Sequence, residues 1–171
     1  FAQKFPTINT DTLSAGYGLA ENTMSVALWK KGKKYGYKFI HGKDVASCGD
    51  ILQNTQVKIF TPDEEGVGEI GIKGDSLFDG FINAETNLID GYYLTGDLGL
   101  VENNQVYVTG RKKDIIIVNG KNVYPQDVET ATSNVEGVYT GRVVAFGIFN
   151  EKVGSEELFV IAETRETVDN N

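Results

Sequence analysis

Cysteine, histidine, tryptophan and methionine each occur once in the 171 residues, and proline three times. Cys48 and His41 are too few for a disulfide framework or a zinc site, so the chain fits a reducing, cytoplasmic compartment. Cys48 lies beside Gly49 where a strand should begin, which suits a small packed thiol better than a nucleophile. His41 is the sole imidazole that could serve such a nucleophile as base. Positive charge is also in the minority. Sixteen Lys and Arg face twenty-four Asp and Glu for a net charge of −8, which disfavours nucleic acid and anionic membranes as partners. The exception is the run Lys30, Lys31, Gly32, Lys33 and Lys34, a solvated loop before it is a docking patch. Although 40% of residues are hydrophobic, no apolar run is long enough to span a membrane. No basic, apolar leader opens the sequence, so no secretory signal is expected.

Long helical periodicity is nearly missing too. Twenty glycines instead punctuate short β-type runs. Residues 56–60 and 68–73 form one expected strand pair. Residues 98–101 and 105–109 form another around Asn103 and Asn104, which tolerate positive φ. Such spacing predicts a small barrel or sandwich over about Val45 to Gly110. The pattern then changes. The apolar run Ile115 to Val118 leads through Gly120 to Pro125, which suits a first helical turn. Asp127 and Glu129 would sit near the positive end of that helix. Val128, Ala131 and Val135 would form its buried face. Two strands should follow, at residues 142–149 and 158–164. The expected fold class is therefore α+β: a β-barrel-like subdomain, then a βαββ start to a small mobile domain.

The chemistry concentrates between Gly91 and Glu129. Thr95-Gly96-Asp97 is followed by Gly110-Arg111-Lys112-Lys113-Asp114 and then by Asn119-Gly120-Lys121-Asn122. An ionised Asp97 has two acceptor oxygens, matching the two hydroxyls of a ribose diol. Arg111 offers a planar fork of donors suited to ribose oxygens or phosphate. A turn aspartate and a surface arginine would carry the same letters.

With Gly16 to Glu21 (GYGLAE), Gly91 to Asp97 (GYYLTGD), Gly110 to Asp114 (GRKKD) and Asn122 to Glu129 (NVYPQDVE), the chain resembles the adenylate-forming superfamily. That family includes acyl-CoA synthetases, luciferases, nonribosomal-peptide adenylation domains and fatty acyl-AMP ligases. The likeness runs from about Ser14 into the 160s, and YGLAE, SCG (Ser47 to Gly49) and YPQDVE are most similar to fatty acyl-AMP ligases. The resemblance implies that Tyr17 stacks on adenine and that Gly16 and Gly18 let backbone approach the nucleotide. Asp97 and Arg111 would hold the ribose of ATP, and Glu21 would ligate magnesium. It also makes Lys113 a hinge and places Gly120 on the loop nearest a thiol acceptor. Residues 1–45 would lead in from a large domain, 46–111 form the barrel-like subdomain, 112–114 the hinge and 115–171 part of the small domain.

Ala20 stands where most relatives have a phosphate-binding threonine, which favours acyl-AMP ligases. Against that branch, residues 26–45 leave little room for the extra segment those ligases carry. The family's phosphate-cradling loop and its adenylation lysine have no counterpart here. The expectation is a fragment, with no catalytic residue of its own and no activity alone. The parent would join a fatty or other carboxylic acid to AMP, then pass it to an acyl carrier protein or CoA. An acyl-CoA synthetase, an amino-acid adenylation domain and a non-catalytic nucleotide-binding or interaction module remain alternatives.

Overall fold

A computed structural model describes residues 5–7, 9, 14–30, 32–33 and 36–165. Within them the chain divides into two compact units, residues 1–109 and 110–171.

The first unit is built on one antiparallel sheet. Its strands are β1 (Gly16–Tyr17), β2 (Ala27–Leu28), β3 (Tyr37–Ile40), β4 (Lys43–Ile51), β5 (Thr55–Phe60), β6 (Gly68–Gly74), β7 (Leu88–Ile89), β8 (Tyr92–Glu102) and β9 (Gln105–Arg111). They run in the order β1-β2-β4-β9-β8-β6-β5, with β3 beside β4 and β7 beside β8. The two expected hairpins are present and longer than the apolar letters suggest. Asn103 and Asn104 turn the β8–β9 hairpin with φ of 51° and 64°, the two-residue geometry whose twist matches the strands it joins.

Burial follows the pleat. Along β5, Val57 and Ile59 turn inward while Gln56 and Lys58 face solvent, the period-two pattern of a half-buried strand. β6 lies between β5 and β8, and its first five residues are all buried. Ile70 and Ile72 have no exposed surface and pack with Val26, Ala27, Tyr93 and Val106. Each such aliphatic side chain contributes about 1.5–3 kcal/mol by leaving water. This core lies directly beneath the segments that carry Tyr17 and Asp97.

In the second unit β10 (Ile116–Val118) and β11 (Lys121–Val123) form a hairpin, followed by α1 (Pro125–Ser133) and a longer hairpin of β12 (Val138–Asn150) and β13 (Ser155–Thr164). The order is ββαββ. The expected βαββ order omitted β11 because Lys121-Asn122-Val123 has only one apolar residue. Pro125 does open the helix.

The inward face of α1 differs from the expected one. Ala131 and Val135 are exposed, while Pro125 is buried and Val128, Glu129 and Thr132 are half-buried. These four stand at i, i+3, i+4 and i+7, so helical spacing holds but its phase has moved. Glu129 turns inward because its carboxylate accepts the Ala145 N–H at 3.0 Å.

Candidate functional site

The GYYLTGD segment owes its shape to a bulge. β6 and β8 pair Glu69 with Leu98 and Gly71 with Leu94. Thr95, Gly96 and Asp97 thus face the single residue Ile70. Gly96 sits at φ 75° with no neighbour near its missing Cβ. Glycine is needed there for backbone conformation, not for space. The Thr95 hydroxyl donates to the Ile70 carbonyl at 2.9 Å and accepts the Asp97 N–H at 3.1 Å. One side chain thereby serves backbone groups on both strands of the bulge and fixes where Asp97 leaves β8.

Tyr17 meets that carboxylate from the other end of the sheet. Its hydroxyl donates to Asp97 Oδ2 at 2.8 Å, across 80 positions of sequence. Burial first, and then the negative charge of Asp97, push the Tyr17 phenol far above its ordinary range. Tyr17 is held in place by the Val26 N–H, which donates to its carbonyl at 2.8 Å.

Glu21 lies in a short 3-10 turn, Ala20–Asn22. Its carbonyl accepts the Phe78 N–H at 2.7 Å, and the Tyr93 hydroxyl lies 3.4 Å from its Oε1. Phe78 packs edge-on against the Tyr93 ring, with centroids 5.2 Å apart. Burial, Glu21 and Asp97 all raise the Tyr93 phenol. Tyr93 therefore stands within the influence of both acids. Tyr93 and Thr95 were not among the expected site residues; their position in β8, at i and i+2 on the way to Asp97, was the available signal.

A Cβ on Gly18 would lie 1.6 Å from the Met24 carbonyl oxygen. The close approach at Gly18 is to the chain's own backbone, where no other residue fits. A Cβ on Gly16 would likewise meet the Leu28 side chain at 2.8 Å. The first unit thus gathers Tyr17, Gly18, Glu21 and Asp97 about one cluster.

The remaining expected residues lie in the second unit. Arg111 is the exposed last residue of β9, and Lys113 is the exposed middle of a 3-10 turn, Lys112–Asp114. Asn119 and Gly120, at φ 50° and 75°, form the tip of the β10–β11 hairpin. The Asn119 N–H donates to Ser155 Oγ at 2.7 Å. An open groove of about 770 Å³ runs beside this tip, lined by residues including Ile115, Ile117, Gly120, Phe149 and Val153.

Two other sequence features resolve simply. The Cys48 thiol is half-buried and raised by that burial, while His41 Nε2 lies 2.8 Å from Asp63 Oδ2. The ring is engaged with a carboxylate, so no activated thiol is built. In the lysine run, Lys30 and Lys33 both pair with Asp50 Oδ2, at 3.2 and 3.1 Å. Lys33 and then Lys30 hold that carboxyl below its usual range. Lys31 and Lys34 lie outside the described residues.

Magnesium needs few protein ligands, because it binds through one or two carboxylates together with substrate phosphates. Among the described residues no group of three or more His, Cys, Asp or Glu could cage a metal. A lone Glu21 carboxylate beside a phenol fits the shared mode. No helix among the described residues is long and apolar enough to cross a membrane.

No family model matches the chain. It is 30% identical over 181 aligned residues to a Caulobacter vibrioides protein named "Putative acyl-CoA synthetase", covering 88% of this chain and 31% of that protein. Among solved structures, one from a study of fatty acyl-adenylate ligases from E. coli and L. pneumophila superposes with a TM-score of 0.77 and 25% identity, covering 99% of this chain and 35% of that one. O-succinylbenzoate coenzyme A synthetase from Bacillus subtilis, in complex with ATP and magnesium, gives a TM-score of 0.67 and 25% identity over 91% of this chain and 32% of that one. The chain spans less than a third of the length of the curated relatives it matches. Those relatives and neighbours are acyl-CoA ligases and adenylate-forming enzymes, and the chain resembles one stretch of them.

Proposed function

We propose that this chain, so placed among the adenylate-forming enzymes, supplies the ribose-binding part of an ATP-dependent acid ligase. The Tyr17–Asp97 hydrogen bond carries the reading. It sets an aromatic ring, which can stack on adenine, against a carboxylate that can accept from a ribose diol. By the resemblance, Arg111 would be a further nucleotide-binding residue, offering a planar fork of donors. Glu21 would hold magnesium, whose chemistry is to offset charge on the triphosphate. The residues of this chain bind and orient; carboxylate attack on the α-phosphate then yields acyl-AMP and pyrophosphate.

The proposed acid is a fatty acid, and the likeness to fatty acyl-adenylate ligases supports that choice. Transfer to the thiol of an acyl carrier protein's phosphopantetheine, or of CoA, would follow rotation about Lys113. Gly120 and the groove beside it would face the acceptor. Residues 46–111 would act as the barrel-like subdomain and 115–171 as part of the mobile one, in a cytoplasmic enzyme.

Asp97→Ala in the full-length protein should weaken ATP binding at least tenfold, because charge-assisted hydrogen bonds to the diol are lost. Calorimetric titration with ATP measures this directly. Unchanged affinity would remove the ribose assignment.

A further inference from the structure

We infer that the Tyr17 hydroxyl is a ribose-selectivity device, separate from any role of its ring: it fixes the plane in which the Asp97 carboxylate meets a vicinal diol. This rests on the ribose reading of Asp97 given above. Stacking on a base needs only the aromatic face, so phenylalanine would serve that purpose equally. The hydroxyl needs its own explanation.

The geometry supplies one. An aspartate's terminal torsion is broad and roughly two-fold, so an unrestrained carboxylate samples many planes. A diol needs both oxygens presented together. Two of the hydrogen bonds to Asp97 restrain it in different ways. Its N–H is held by the Thr95 hydroxyl at 3.1 Å, which sets the backbone, and its Oδ2 is held by Tyr17 at 2.8 Å, which sets the carboxylate. A carboxylate oxygen has more than one lone-pair direction, so accepting from Tyr17 leaves Oδ2 able to accept from a ribose hydroxyl as well. A tyrosine phenol is neutral at physiological pH, so it adds no competing negative charge beside Asp97. Tyr17 is itself anchored by the Val26 N–H and by pairing with Ala27, a fully buried residue. The restraint therefore leads back to the core and not to a mobile side chain.

The device predicts a nucleotide-selective effect. In the full-length protein, Tyr17→Phe should weaken ATP about three- to tenfold, the size expected for a charge-assisted hydrogen bond acting at second hand. The same change should leave 2′,3′-dideoxy-ATP affinity as it was, because that nucleotide has no diol to read the carboxylate plane. Tyr17→Phe added to Asp97→Ala should have no further effect on ATP. Calorimetric titration of the four proteins with both nucleotides tests this, with thermal melts confirming that each is folded. Equal losses for both nucleotides, or no loss for either, would overturn the proposal. A wild-type protein that binds both nucleotides equally would overturn the ribose reading beneath it, a result visible before any Tyr17 variant is made.

Discussion

The Thr95 hydroxyl both donates to Ile70 and accepts from Asp97, a pair of bonds that only serine could also make from the same position. Valine has the same shape but would remove one hydrogen bond from the carbonyl of a fully buried residue and one from an N–H in a bulge. Leaving buried polar groups unpaired costs about 1–3 kcal/mol. Thr95→Val should therefore lower the unfolding free energy measured by denaturant titration by an amount in that range, and Thr95→Ser should recover most of it. A Thr95→Val variant as stable as its parent would show that the bulge does not depend on the hydroxyl. At this scale the sequence was only partly readable. Asp97 and Tyr17 carry motif letters, but nothing in the letters shows that they touch across 80 positions. Tyr93 was hidden for the same reason, since its nearest acidic partner, Glu21, lies 72 positions away.

Strands were more legible than the helix. Alternation along β5 and the two asparagines of the β8–β9 turn are local signals, and local signals survive folding. The α1 face is decided by what packs on it. Apolar letters alone selected Val128, Ala131 and Val135, whereas the Ala145 N–H draws Glu129 inward and brings Thr132 with it. Lys113, in the turn that follows β9, gives the element-scale prediction. Proline there fixes φ near −65°, a value a 3-10 turn already uses, while removing any second state that needs a different φ. Lys113→Pro in the full-length protein should keep acid-dependent ATP–pyrophosphate exchange within about threefold. It should slow acyl transfer to the thiol at least tenfold, because hinge residues act by absorbing backbone change. If both half-reactions keep their rates, Lys113 is not the pivot.

For the molecule as a whole, the net charge of −8 and the acid-and-phenol cluster of the first unit point the same way. Asp97, Glu21, Tyr17 and Tyr93 can bind hydroxyls and share a cation. Nucleotidyl transfer also needs positive charge placed against the reacting phosphates, which this cluster does not provide. The chain matches less than a third of the length of its curated relatives. The order of motifs was legible along the sequence because each is local; their division between two units was legible only where composition changes, near Gly110. The most direct measurement is ATP–pyrophosphate exchange by the full-length protein with a panel of fatty acids and amino acids. The account predicts exchange that depends on a fatty acid and falls at least tenfold in Asp97→Ala. No exchange with any acid would contradict it, and so would exchange that Asp97→Ala leaves unchanged.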